Sequence, residues 1–212
     1  MIAALYVDPS GVYAGLDGVD VWGEDRDARK YAGPWPVVAH PPCERWGRYW
    51  SGGPMLAKTP RAKRKGDDGG CFAAALAAVR AWGGVLEHPA DSHAWLAYGL
   101  LRPRGGGWFV ADELGGWSCR VDQGHYGHRA RKATWLYAVG AELPSLAWHR
   151  MRGGVRLEDG CHSSAERAAR RAAGAPPTQR LAAGERAATP PEFRDVLLEI
   201  ARSALPREAS RA

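Results

Sequence analysis

The apolar residues of this chain fall in short runs that each stop at a polar or turn-forming group. Ile2 to Val7 stops at Asp8-Pro9, Val19 to Gly23 at Glu24-Asp25, and Pro36 to His40 at Pro41-Pro42. Runs of this length predict strands, and polar groups at their ends fit a parallel α/β sheet, whose sites lie at the carboxyl ends of strands. The link from Asp8 to Gly18 is Gly-rich and cannot hold a full crossover helix, so the first unit is either incomplete or partly antiparallel. Tyr49 to Gly70 reads as a mobile loop. Cys71 to Trp82 is an Ala-rich helix closed by Gly83-Gly84. Val85-Leu86-Glu87 predicts a short buried strand running into His88-Pro89, and Asp91 caps a short helix through Tyr98.

In the second half, Trp108 to Val110 and Trp117 to Val121 predict strands around Gly-rich turns, and Ala133 to Val139 is the most strand-like run. From Ser163 onward the chain is Ala/Arg-rich and helical, with a break at Pro176-Pro177. Thr189-Pro190-Pro191-Glu192 starts a last helix, with Phe193, Val196, Leu197 and Ile200 on one face. No internal repeat is present. The expectation is an α/β fold, a mainly parallel sheet flanked by helices. Residues 1–150 form its core, 151–205 a C-terminal helical segment packed on that core, and 206–212 a frayed tail.

Composition supports a folded body: 45% of the 212 residues are hydrophobic and 25% charged. The net charge of +6 admits a polyanionic partner, nucleic acid being the commonest, and an ordinary Arg-rich protein explains it equally well. The ten Trp serve either as core anchors or as faces on which bases stack. Cys43, Cys71, Cys119 and Cys161 form no CxxC pair, the first residues lack a signal-peptide pattern, and no apolar run approaches membrane-spanning length. A reducing, cytoplasmic setting without membrane association follows as an expectation.

The sharpest chemical signal is Val37-Val38-Ala39-His40-Pro41-Pro42-Cys43. A strand breaks into a double-proline turn that presents a thiol, and proline makes that turn stiff. Arg45 and Arg48 stand close in sequence and would lower the thiol pKa; the other reading is a small buried hydrophobe. His40 is the histidine placed to act as its base, packing at the turn being an equal account. Glu87, closing an apolar strand before His88-Pro89, is an expensive place for a charge without a partner; in a neighbouring parallel strand its end would lie beside the Cys43 turn, and the other reading is a structural salt bridge to an arginine. In Gly127-His128-Arg129-Ala130-Arg131-Lys132, the alternating Arg129 and Arg131 point to opposite sides, one toward a pocket and one toward phosphate or the fold. Lys58, Arg61, Lys63, Arg64 and Lys65, with Arg45 and Arg48, are the candidate nucleic-acid contacts, and Trp46, Tyr49 and Trp50 beside them could stack on an unpaired base. His125-x-x-His128 with Cys119 and Cys161-His162 makes a poor zinc set, so no metal is expected.

In Pro42-Cys43, Glu87-His88-Pro89 and Arg129-Ala130-Arg131, in that order, the chain resembles the DNA cytosine-C5 methyltransferases, and more closely their short relatives in phages and prophages. The resemblance covers about two-thirds of the chain and implies a reduced methyltransferase-like, Rossmann-like core. It implies that Cys43 adds to C6 of a flipped cytosine, Glu87 holds N3, and Arg129 or Arg131 holds O2. It also implies S-adenosylmethionine as donor, with Asp8, Gly11, Glu24, Asp25 and Pro41 at its place. The Phe-x-Gly-x-Gly loop of the family is absent, Asp8-Pro9-Ser10-Gly11 standing near that position, and no large insertion follows Arg131. The implied function is a DNA-modifying enzyme. The alternatives are a non-catalytic nucleic-acid-binding derivative and a Cys-dependent enzyme on a free nucleotide.

Overall fold

The computed structural model describes residues 1–52, 57–152, 155, 157, 164–175 and 181–204. Its centre is a seven-stranded sheet of β1 (Ile2–Leu5), β2 (Val19–Trp22), β3 (Val37–Ala39), β4 (Gly84–Pro89), β5 (Trp108–Val110), β6 (Gly116–Asp122) and β7 (Ala133–Val139), ordered β2-β1-β3-β4-β7-β6-β5. The first four strands pair in parallel. The last three pairings are antiparallel, so the sheet is mixed. Two successive antiparallel pairings leave β6 running in the same direction as β4. The carboxyl ends of β1, β2, β3, β4 and β6 therefore share one edge with the start of β7. The chain leaves β1 for β2 on one side and returns to β3 on the other, which makes β1/β3 the switch point where α/β sheets open a crevice.

Helices α1 (Cys71–Trp82) and α5 (Pro191–Ser203) cover opposite faces. Side-chain alternation assigns the faces: Ala3, Leu5, Val37, Ala39 and Leu86 pack toward α1, and Ile2, Ala4, Val38 and Val85 toward Phe193, Leu197, Leu198 and Ile200 of α5. Helix α1 carries β3 over to β4 as expected for a parallel pair. The β1–β2 link contains no helix, and α5, arriving late in the chain, packs on the far side of β1, β3 and β4 instead. Arg194 ties the two by donating to the Val12 carbonyl (2.9 Å). Shorter helices are α2 (His93–Ala97), α3 (Ser164–Ala172) and α4 (Ala183–Ala187). The expected Pro176-Pro177 break and the 206–212 tail lie outside the described residues.

Local chemistry explains these elements. Ala-rich α1 starts where Asp68 accepts from the amides of Gly70 and Phe72, and it ends at Gly83. Helix α2 is capped by Ser92, one residue beyond the expected Asp91. Helix α5 opens on Pro191, whose missing N–H costs nothing in a first turn. Gly84 permits the β3–β4 pairing: its φ is +113°, and a Cβ there would stand 2.0 Å from the Val37 carbonyl oxygen.

Each fully buried apolar side chain of α5 contributes about 1.5–3 kcal/mol. Leu197→Ala is expected to lower unfolding free energy by about 2–5 kcal/mol in urea titration. Leu101→Ala, at an exposed position, should change it by less than about 0.5 kcal/mol. Equal effects of the two would refute the role given to α5.

Candidate functional site

Register brings the two motif-bearing strand ends together. Val38 of β3 lies opposite Val85 of β4, and Ala39 opposite Leu86, so His40 and Glu87 are the next residues along each strand. Glu87 is 8% exposed, its side chain on the α5 side of the sheet. His40 Nδ1 lies 3.1 Å from Oε2, and Gln123 Nε2, just past the end of β6, donates to Oε1 at 3.0 Å. Burial alone would raise the Glu87 pKa, but the His40 hydrogen bond and charge, with Lys132 and His88, hold it down to about 2. An ionised carboxylate only accepts, so His40 Nδ1 carries a proton. In the neutral ring Nε2 then accepts from the Tyr13 hydroxyl, 2.8 Å away. Gln123 Nε2 also donates to Thr134 Oγ1 (2.9 Å), and the resulting chain runs Tyr13, His40, Glu87, Gln123, Thr134.

Cys43 leaves the double-proline turn partly exposed, within the field of Glu87 and Lys132. Burial pushes its thiol pKa up, the Glu87 charge adds to this, and Lys132 opposes both. The expected lowering by Arg45 and Arg48 is not found. Arg45 donates to the Trp50 carbonyl and lies beside Glu44, and Arg48 lies over the Tyr49 ring. His40 is not a base for Cys43 either, since both its ring nitrogens are committed to Tyr13 and Glu87. Lys132 is the cation of the site. It follows Arg131 at a positive φ of 38°, donates to the Ala187 and Ala188 carbonyls, and is pushed down in pKa by burial against the charges of Glu87 and Cys43.

The described partners of the Arg-x-Arg pair are carboxylates on two different elements. Arg129 pairs with Glu185 of α4, and Arg131 Nε stands 3.9 Å from Asp122 with half its side chain exposed. Trp46 is a core residue against Phe72 and Tyr98, its indole donating to Asp68, and is not free to stack on a base. Tyr49 is exposed, and Lys65 sits 5.2 Å over the Trp50 ring. Lys58, Arg61, Lys63, Arg64 and Lys65 are all exposed and have no ion-pair partner among the described residues.

His88, next to Glu87, faces the α1 side against Phe72 and Trp95. Both its ring nitrogens are buried without a hydrogen bond, as is Gln123 Oε1. Burial holds the imidazole pKa at about 4, against the pull of the Glu87 charge and of the Pro42 carbonyl, which lies near the ring without meeting hydrogen-bond geometry.

The ends of β1 and β2 do not fit S-adenosylmethionine as the resemblance implies. The Asp8 carboxylate is taken by the Ser10 amide and hydroxyl. Pro9 leans on the end of β2, so that a Cβ on Gly23 would stand 2.9 Å from both Pro9 and Asp25. Gly11 folds back on Asp8, and Glu24 and Asp25 are exposed. Tyr6 follows β1 at φ 60° with its hydroxyl buried, and Tyr13 occupies the link where a phosphate- or carboxylate-binding helix would begin. Pro41 is buried beside His40. Cys161 and His162 lie outside the described residues. Among the described residues no group of three or more His, Cys, Asp or Glu could hold a metal, and no helix is long and apolar enough to cross a membrane.

Gln123, Lys132 and Tyr13 are the members of the site that the sequence did not single out. Gln123 and Lys132 flank strand ends, a weak local signal; Tyr13 carried none. Compared with known proteins, the chain matches no family model, no curated protein and no solved structure.

Two pH windows follow. Both folded-state values lie below the unfolded ones, so within each window the unfolded chain binds the extra proton and stability rises with pH. His88 removes up to about 3 kcal/mol as pH falls from its unfolded value of 6.5 to about 4. Glu87 does the same from 4.5 to about 2. In urea titrations, His88→Leu should abolish the upper window and Glu87→Gln flatten the lower. A wild-type midpoint constant between pH 6.5 and 4 would exclude the neutral, buried His88. The filled β1/β2 end also makes a ligand prediction: millimolar S-adenosylmethionine should leave Tm unchanged, whereas a bound donor would raise it.

Proposed function

We propose that this protein is a DNA-modifying enzyme of the cytosine-C5 methyltransferase type, on a reduced Rossmann-like core, in which Cys43 and Glu87 address one pyrimidine base. The observation that carries this reading is the parallel β3–β4 register, which sets the Pro41-Pro42-Cys43 turn beside Glu87 and leaves thiol and carboxylate in each other's field. A cytosine entering that end would donate its N4 amino group to Glu87, whose oxygens each keep a free lone pair beyond the bonds from His40 and Gln123, with N3 beside it, bonding the carboxylate only when N3 has taken a proton. The base is then held by an anchored carboxylate, and the Lys132 ammonium offsets the charge that develops as sulfur loses its proton.

The covalent step needs no donor. Cys43 Sγ bonds to C6 and its proton passes to solvent water through the partly exposed face of the turn. The C5=C6 electron pair moves to C5, which takes a solvent proton, and reversal restores thiol and base. Lys58, Arg61, Lys63, Arg64 and Lys65 supply sequence-independent attraction for the DNA backbone. A second reading, a non-catalytic nucleic-acid-binding derivative of the same fold, is favoured by the raised Cys43 thiol pKa and the filled β1/β2 end.

The two readings separate in heavy water. Single-stranded DNA incubated with the protein in D2O should gain deuterium at cytosine C5, read by mass spectrometry of its nucleosides. Cys43→Ser should abolish the gain, and Glu87→Gln should slow it by about a hundredfold or more. DNA binding without exchange would leave the non-catalytic binder as the function.

A further inference from the structure

A second cleft opens on the same edge of the sheet, beyond β6. It has a volume of about 490 Å³ and is lined by His125, His149, Arg150, Met151 and Arg152. Three contacts build it. The Met151 amide donates to the buried Asp122 at the end of β6 (2.9 Å). Met151 also lies against Gly124, where a Cβ would stand 2.1 Å from the sulfur. His125 Nε2 bonds the His149 carbonyl at 2.9 Å, with the two rings 4.2 Å apart. The segment that carries the arginines is thus fastened over the turn after β6 rather than hanging free.

The cleft is electropositive. Arg150 and Arg152 are exposed and have no ion-pair partner among the described residues. Arg120 and Arg131 stand behind them on the Asp122 carboxylate, close enough for Arg120 to feel the repulsion of Arg131 and Arg150. Asp122 is already engaged by Arg120 and the Met151 amide, so it does not neutralise the front pair. Guanidiniums facing a concave surface, with imidazoles beside them, suit a phosphate oxygen cluster.

Position gives the cleft its meaning. β4 and β6 are separated by β7 alone, and Gln123, the residue after β6, donates to Glu87 Oε1 at 3.0 Å, so the turn that carries His125 begins at the Glu87 carboxylate. His125 lies two residues on, at most about 7 Å further along the chain, which puts the cleft within reach of the phosphates of a nucleotide whose base lies at Glu87 and of its neighbours. We propose that the Arg150–Arg152 cleft is a phosphate-binding subsite that seats a phosphate of the nucleotide whose base lies at Cys43 and Glu87, or of its neighbour in the strand. This assignment rests on the pyrimidine reading of the Cys43–Glu87 end.

The test is fluorescence anisotropy with the full chain, wild type and Arg150→Ala/Arg152→Ala. The probes are a single-stranded oligodeoxynucleotide, the same strand with one abasic position, and dCMP as competitor. The double variant should bind the intact and the abasic strand at least about tenfold more weakly and reduce the salt slope by about 0.7–1.4, that is, one to two phosphates. The five-fold Ala variant at Lys58, Arg61, Lys63, Arg64 and Lys65 controls for the separate basic loop, and circular dichroism of each variant confirms folding. If the Arg-dependent loss appears with the strands and not with dCMP, the phosphate belongs to a polynucleotide. If it appears with dCMP as well, a free nucleotide also fills the subsite. Double-variant binding equal to wild type for every probe overturns the proposal. Equal wild-type affinity for intact and abasic strands, with the Arg-dependent loss retained, removes the base pocket and leaves the phosphate subsite standing.

Discussion

A carboxylate kept ionised inside a protein dictates what may surround it. Left unpaired, the charge of Glu87 would cost far more than the marginal stability of a domain of this size. Its two oxygens instead draw donors from two further strand ends, His40 after β3 and Gln123 after β6, and each of those is held in turn by Tyr13 and Thr134. One buried charge therefore fixes the relative placement of four strands and of the link after β1. The Cys43 turn inherits its position from that arrangement, because Pro41 and Pro42 leave little freedom between His40 and the thiol.

The same charge restricts the chemistry of its neighbours. Glu87 raises the pKa of the Cys43 thiol and counteracts the fall that burial imposes on Lys132. Thiol and ammonium are thus coupled through a carboxylate that itself stays ionised over the physiological range. Protonation of any one changes the field at the other two, so their titrations belong to the trio. His88 stands behind this group as a neutral ring, filling space among Phe72 and Trp95 at the cost of two unsatisfied nitrogens.

Elements with a strong local signal were legible in the sequence. Cys71–Trp82, Trp108–Val110 and Ala133–Val139 have the bounds their residues predict, because an Ala-rich stretch closed by glycine and alternating β-formers are decided over a few residues. The pairing of the strands ending in His40 and Glu87 was also readable, from two apolar runs that each stop at proline. The antiparallel half of the sheet was not, since the direction of β7 against β4 depends on a long connection. At the site, Cys43 and Glu87 could be singled out because each breaks a local rule. Tyr13, Gln123 and Lys132 break none, and their roles come from contacts across the sheet. Arg129 and Arg131 illustrate the converse: a conspicuous charge pattern was satisfied by Glu185 and Asp122, carboxylates that sequence spacing does not reveal.

The position of α5 in the chain affects how the molecule is made. Strands β1, β3 and β4 can align as soon as Glu87 has been synthesised, but one face of them, including Ile2, Ala4, Val38 and Val85, stays bare until residues 191–203 arrive. The bond between Arg194 and Val12 spans nearly the full sequence, a separation of 182 residues. Contacts of such range are slow to form, and a partly built sheet with an apolar face and unpaired strand edges invites self-association. On the ribosome the nascent chain is therefore an open half-sandwich over the roughly one hundred residues between Glu87 and α5, and its yield depends on how well that intermediate is shielded until α5 docks.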